Sequence, residues 1–145
     1  MPSDLLMKSM NRFHRTLLTL SRGRLGWTAG GMPVLELTTI GRRSGEKRTS
    51  MLTSPAQTGE DIVVVASRGG DPVHPAWFLN LRENPTVEVV WKGGPRHVRT
   101  ARVAEGEERA QLWQRIITDF PHYGGYQSKT TREIPLVVLT AAPEV

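Results

Sequence analysis

Residues 34–48 read VLELTTIGRRSGEKR. The first seven are apolar or β-branched at nearly every position, which predicts a strand over 34–40. Gly41 and Gly45 then punctuate a turn. Residues 47–54 resume a strand pattern, so the stretch reads as a hairpin and sets a local antiparallel start to the fold. The turn crowds Arg42, Arg43, Lys47 and Arg48 against the single carboxylate of Glu46. Like charges repel, and the usual reason to gather them is an anion. The glycines permit positive φ, and successive backbone N–H groups in such a turn can cradle an anion. Arginines add charge-assisted contacts to phosphate or carboxylate. Taken alone, GRRSG reads first as a solvated hairpin turn, and only the other motifs shift the reading toward an anion site. It is not a P-loop, because the spacing GxxxxGK[ST] is missing and no helix follows.

C-terminal to the hairpin, residues 55–61 predict a turn. The run IVVVAS at 62–67 predicts a third strand, and its unbroken apolar character predicts burial on both faces. An irregular loop over 68–75 leads to a short helix over 76–82, stopped near Asn84-Pro85. A fourth strand follows over 86–92, a Gly93-Gly94-Pro95 turn, and a basic fifth strand over 96–104. Residues 105–120 predict a helix, with Glu107 and Glu108 in its first turn. A loop with at most one helical turn spans 121–132, and the last strand covers 134–140. About six mostly antiparallel strands with inserted helices predict an α+β class and a small barrel.

N-terminal to the hairpin, residues 23–33 form a breaker-rich linker. Residues 3–21 predict a helix, with Leu6, Met10, Phe13, Leu17 and Leu20 in one stripe and Lys8, Arg12 and Arg15 mostly elsewhere. A basic amphipathic helix can lie on a membrane surface, or it can pack on the domain with its cations solvated. The expected division is an amphipathic helix at 1–22 and one barrel domain at 34–145.

The chain has 145 residues, which suits one compact domain. It contains no cysteine, which excludes disulfides, thiolate metal sites and a cysteine nucleophile. Nineteen Lys and Arg against 14 Asp and Glu give a formal charge of +5, favouring anionic ligands or surfaces. No apolar run reaches the ~18 residues of a membrane span. The N-terminus lacks a separate apolar core and a small-residue cleavage site, so it is not read as a signal peptide. A cytoplasmic protein is expected, with contact to the cytoplasmic membrane face if the first helix binds lipid.

Three further stretches can carry chemistry. Ser67-Arg68-Gly69-Gly70 follows the buried strand directly and can approach a ligand from a rigid platform. In His74-Pro75-Ala76-Trp77-Phe78-Leu79, Pro75 suits a helix start, and Trp77, Phe78 and Leu81 suit packing on the barrel. His74 is a secondary candidate for proton donation. Phe120, Tyr123 and Tyr126 recur every third residue, and tyrosine suits a lid over a planar, carbonyl-bearing substrate. No HExxH, no clustered His/Asp pattern and no GxSxG elbow is present, so no metal is expected. Without such groups, catalysis would have to come from a bound organic cofactor.

The motifs LTTIGRRSGEKR, VVVASRGG, HPAWFLNL, NPTVEVVW, FPHYGGYQ and REIPLVVL occur in an order that resembles the deazaflavin-dependent nitroreductase family, over about residues 34–139. The resemblance implies a split β-barrel related to the flavin mononucleotide-binding barrels. It implies coenzyme F420, a deazaflavin with a phosphate and a glutamate tail, as cofactor. Arg42, Arg43, Ser44 and Arg48 would hold the phosphate and tail. Met51, Leu52 and Thr53, with Ser67, Arg68, Gly69 and Gly70, would hold the ring, and Trp77 joins the cofactor set. Ser67, Tyr123 and Tyr126 would face the substrate as catalytic residues, with Ser67 and Tyr123 donating hydrogen bonds to the acceptor oxygen. The implied activity is hydride transfer from reduced F420 to a small-molecule acceptor: a quinone, an enone or a nitroaromatic. Two departures stand out: Arg43 and Arg68 occur where lysine is common, and Phe120 where tyrosine is common. Flavin mononucleotide in the same fold is the alternative cofactor. A non-catalytic cofactor carrier or nucleic-acid-binding barrel is the other alternative, and no nucleic-acid partner is expected. The chain would be a monomer or homodimer.

Overall fold

The computed structural model describes residues 27–141; the expected helix over 3–21 lies outside the described residues. Eight strands run in the order β1 (Thr28–Ala29), β2 (Met32–Ile40), β3 (Lys47–Thr53), β4 (Ala56–Thr58), β5 (Asp61–Val65), β6 (Thr86–Trp91), β7 (Arg96–Val103) and β8 (Leu136–Thr140). Three α-helices interrupt them: α1 (Ala76–Glu83), α2 (Gly106–Asp119) and α3 (His122–Ser128). The two strands not expected from sequence are β1 and β4. The first pairs Thr28 with Pro33 and Ala29 with Met32, so the presumed linker joins the sheet ahead of residue 34.

Every pairing is antiparallel, and the sheet runs β3-β2-β6-β7-β8-β5-β4. Its two ends, β3 and β4, are consecutive in the chain and separated by only Ser54 and Pro55. The sheet must therefore curl until its ends nearly meet, yet no ladder joins them. The result is a split barrel. Ser54 secures the bend: its N–H donates to Pro33 O at 3.0 Å, and its hydroxyl contacts Val63 O at 2.6 Å and Ala56 O at 2.9 Å.

Alternate residues of the strands fill the interior. Leu35, Leu37, Ile62, Val64, Val87, Val89, Val137 and Leu139 pack there with Trp77, Phe78 and Leu81 of α1. On the outer face, Val63, Leu136 and Val138 meet Leu112, Ile116 and Tyr123 of α2 and α3. The strand β5 is thus buried on both faces, as its unbroken apolar run implies. Burying a side chain such as Ile116 stabilises the fold by about 1.5–3 kcal/mol.

Local chemistry sets the helix ends. Pro75, with φ −65° and ψ 150°, opens α1, and Asn84 ends it in an extended conformation because Pro85 follows. Helix α3 forms where the sequence predicts mainly loop. Its two glycines each cost about 1 kcal/mol of helix propensity. Burial of Tyr123 opposes that cost, and the Ser128 hydroxyl donates to the carbonyls of Gly124 and Gly125 at 3.0 and 3.1 Å. A Cβ placed on Gly124 would meet Ile117 Cγ2 at 3.8 Å, an ordinary contact, so the packing of α3 on α2 does not itself require glycine there.

Candidate ring and anion site

A cavity of about 440 Å³ opens where five elements meet. Its walls are Ala29, Gly30, Met32 and Val34 from the first hairpin, and Met51, Leu52 and Thr53 from the end of β3. Val65 ends β5 and Ser67, Arg68 and Gly69 follow it, Pro75 and Trp77 open α1, and His122, Tyr123 and Tyr126 come from α3. The size falls within the ~300–1,000 Å³ typical of small-molecule sites. Thioether, isobutyl and indole groups offer flat apolar contact, which suits a planar ring.

Nine of the sequence-predicted residues meet at this cavity: Met51, Leu52, Thr53, Ser67, Arg68, Gly69, Trp77, Tyr123 and Tyr126. Gly70 does not line it. Gly70 is buried with φ +84°, and a Cβ there would stand 2.7 Å from Tyr126 O and 3.0 Å from Lys129 Cβ. Its role is to let the loop lie against α3.

The hydroxyls at the cavity differ. Tyr123 is 5% exposed; its Oη lies 3.4 Å from Thr53 Oγ1 and donates to Met32 Sδ at 3.5 Å. Burial pushes its phenol above the ordinary value of 10, partly offset by the bond with Thr53. The Ser67 and Tyr126 hydroxyls make no hydrogen bond among the described residues, so they can bond a ligand. The Tyr123 and Tyr126 rings meet edge to face, 5.9 Å apart. Lys129 Nζ stands over the Tyr126 ring at 5.8 Å.

The remaining predicted residues, Arg42, Arg43, Ser44 and Arg48, sit at the other end of the β2–β3 hairpin. Pairing runs from Val34↔Thr53 near the cavity to Ile40↔Lys47 beside the turn. At about 3.3 Å per residue the four steps from Lys47 to Met51, the nearest cavity residue of β3, put the turn about 13 Å from the cavity along the strand. Asn80 of α1, 4% exposed, anchors it: Asn80 Oδ1 accepts from Arg42 N at 3.2 Å and Arg42 Nη1 at 3.1 Å, and Nδ2 donates to Thr39 Oγ1 at 3.2 Å. Ser44 Oγ accepts from Glu46 N at 3.1 Å. Arg48 pairs loosely with Glu46 at 3.5 Å, and Lys47 pairs with Glu88 at 3.1 Å. Arg43 is exposed and has no hydrogen-bond or ion-pair partner among the described residues.

Sequence reasoning missed two supporting residues. Asn80 carries a faint signal, a polar residue between Trp77-Phe78 and Leu81 on a core-facing helix. Arg132 carries none, because its partners are backbone carbonyls brought near by folding. His74 is held neutral: guanidinium only donates, so the 3.1 Å contact with Arg132 Nη1 makes His74 Nδ1 the acceptor and puts the proton on Nε2. Burial, then Arg132 and Arg82, lower its pKa below 6.5. The basic strand β7 is internally engaged. Arg96 faces Glu36 at 3.7 Å, Arg99 donates to Glu60 O and Leu139 O, and Arg102 grips Glu108 with Nη2–Oε2 at 2.8 Å. Among the described residues no group of three or more metal-ligating side chains occurs.

The family model for F420H(2)-dependent quinone reductase matches residues 10–141. An F420H(2)-dependent quinone reductase of Mycobacterium tuberculosis strain H37Rv is 39% identical over 134 residues, which is 89% of this chain and 88% of that protein. A solved structure of an F420-H2 dependent reductase is 41% identical, with a TM-score of 0.62 over 74% of this chain and 94% of its own. A second solved structure, described as a domain-swapped dimer, is 38% identical, with a TM-score of 0.65 over 89% of this chain and 96% of its own.

Proposed function

Because the chain belongs to the F420H(2)-dependent quinone reductase family, we propose that it binds reduced F420 and reduces a quinone. The observation that carries the reading is the pairing of a ring-sized cavity with a cationic turn at opposite ends of one strand. Such a site suits a ligand with a planar ring and a long polyanionic tail. Met51, Leu52 and Trp77 would hold the ring, and Arg42, Arg43 and Arg48 would hold the phosphate and glutamates. When bound, F420H2 supplies the hydride.

The chain's own residues supply position and charge. Ser67 and Tyr126 donate hydrogen bonds toward the acceptor oxygen, where negative charge develops. One of them, or solvent, delivers the proton. Tyr123 shares its hydroxyl with Thr53 and Met32, so it fixes the wall that carries Tyr126. The apolar walls exclude water from the reacting faces. Enones and nitroaromatics are further candidate acceptors, because the site recognises an electron-poor planar group rather than one functional group.

Flavin mononucleotide is the weaker fit: one phosphate needs fewer cations than this turn supplies. The internal pairing of β7 argues against a nucleic-acid surface. No helix among the described residues is long and apolar enough to cross a membrane. Residues 1–22 are proposed to bring the enzyme to lipid-soluble quinones, which vesicle co-sedimentation with and without that segment tests. Homodimer assembly is supported by the domain-swapped relative, and sedimentation velocity checks it.

The function is tested by mixing the purified protein with reduced F420 and menadione and following deazaflavin absorbance. Turnover is expected. Absence of F420 binding by fluorescence quenching overturns the reading, and a yellow protein releasing flavin on denaturation replaces it with the flavin one.

A further inference from the structure

The loop after β5 holds an unusual run of backbone. Arg68, Gly69 and Gly70 all have positive φ, at 47°, 65° and 84°. Arg68 is a side-chain-bearing residue, for which the left-handed region is disfavoured. Such a conformation persists only where the surroundings over-determine it. Two turn bonds, Gly70 N to Ser67 O and Asp71 N to Arg68 O, are internal to the loop. Arg68 also pairs with Asp71 at 3.4 Å, and from outside the loop one side chain contacts three of its carbonyls.

Arg132, in the segment between α3 and β8, sends its guanidinium behind this loop. Nε donates to Asp71 O at 2.8 Å, Nη1 to Ala66 O at 3.1 Å, and Nη2 to Ser67 O at 2.7 Å. Nη1 also donates to His74 Nδ1 at 3.1 Å. Arg132 is itself tied to α3, since Gln127 Nε2 donates to Arg132 O at 2.7 Å and Gln127 Oε1 accepts from Ile134 N at 2.9 Å. Arg132 does not line the cavity, yet its partners border three of the cavity's walls. These are the Ser67–Gly69 loop, the start of α1 just after His74, and α3 with Tyr126.

We propose that Arg132 is the positioning residue of the ring site: its guanidinium fixes the carbonyls of Ala66, Ser67 and Asp71, and so sets where Ser67 and Gly69 meet the bound ring. The proposal rests on the F420 reading for the identity of the ligand, but not for the loop geometry. Lysine keeps the charge and loses the planar fork, so it cannot satisfy three divergent carbonyls at once.

The test compares wild type with Arg132→Lys, below the melting temperature of both. Each is titrated with F420 and with a tail-less 5-deazaflavin by fluorescence, and backbone amide exchange is followed. The expected result is a loss of about tenfold or more for both ligands, equal for the two, since a small displacement of a positioning group is felt strongly at the ring. Exchange should quicken across 66–71 while β8 stays protected. Unchanged deazaflavin affinity with unchanged exchange over 66–71 overturns the proposal. If wild type binds neither deazaflavin, the F420 reading fails, and the exchange result alone decides whether Arg132 positions the loop. Should Arg132→Lys not fold, Gln127→Ala frees the backbone of Arg132 with less disruption. It is expected to weaken both ligands about threefold and to loosen 66–71, and no change in either contradicts the proposal.

Discussion

Asn80 Oδ1 accepts two hydrogen bonds from Arg42, one from the backbone at 3.2 Å and one from Nη1 at 3.1 Å. The same helix carries Trp77 into the ring cavity three residues earlier. Helix α1 therefore connects the two ends of the candidate site. Replacing Asn80 with Ala leaves Thr39 Oγ1 without its donor and Arg42 without its acceptor. The expected cost is about 1–3 kcal/mol of stability, read by urea unfolding. F420 affinity should fall several-fold, with a smaller change for a tail-less deazaflavin. Wild-type stability in Asn80→Ala would show that the turn holds itself.

Arg43 is the exposed cation of the turn without a partner among the described residues. Hydrogen bonds to charged groups contribute roughly 1.5–3 kcal/mol, so Arg43→Ala should weaken F420 by about tenfold or more. The difference should shrink in high salt, because the contact is exposed. A tail-less deazaflavin should bind both proteins alike. Equal losses for the two ligands contradict a tail-binding role.

Ser67 and Tyr123 are expected to behave differently although both line the cavity. Ser67→Ala removes a donor with no other described partner, and should lower turnover by up to about 10²-fold with F420 affinity nearly unchanged. Tyr123→Phe removes a buried hydroxyl shared with Thr53 and Met32. It should cost about 0.5–1.5 kcal/mol of stability and change turnover little. Steady-state kinetics beside thermal unfolding separate the two, and the reverse pattern would place the donor at Tyr123.

His74 links stability to pH. Its folded pKa lies below 6.5, chiefly through burial and then the charges of Arg132 and Arg82. Between the folded value and 6.5 the unfolded chain binds more protons, so stability rises with pH in that window. The contribution is fully present above pH 6.5 and is lost as pH falls toward the folded value. Protonated His74 can no longer accept from Arg132. Urea unfolding at pH 5 to 8 should show this slope in wild type and less of it in His74→Phe, where the ring still packs against Phe78, 4.8 Å away in the native protein. Identical slopes would exclude His74 as the source.

Much of the fold is legible from local pattern. The run at 62–65 is apolar on both faces because Ile62 and Val64 share the inner core with Trp77, Phe78 and Leu81 of α1, while Val63 packs outward with Leu112 and Ile116 of α2. The turn at 41–45 is legible because Gly45, at φ +72°, needs a residue without a Cβ. Helix α3 is less legible: Gly124 and Gly125 argue against it, and burial of Tyr123 together with the Ser128 hydroxyl bonds opposes them. Strand β4 is hidden within a turn-rich stretch because three residues, Ala56–Thr58, show too few alternations to register.

The candidate site divides the same way. The stretches GRRSG, SRGG, HPAW and FPHYGGY are visible as residue types, since glycines, cations and tyrosines carry their chemistry in any surroundings. Their shared cavity is not visible, because Met51, Ser67, Trp77 and Tyr126 come from four separate segments. Nor is the separation of Arg43 from that cavity, which depends on the register of β2 with β3. By itself the sequence determined the strand and turn pattern, the basic turn and the absence of thiol chemistry. Tertiary structure alone decided that Arg132 would brace the loop at Ser67 and that Asn80 would hold the turn at Arg42. Both act on distant backbone or side-chain atoms, and such partners exist only once the sheet has curled and brought its ends together.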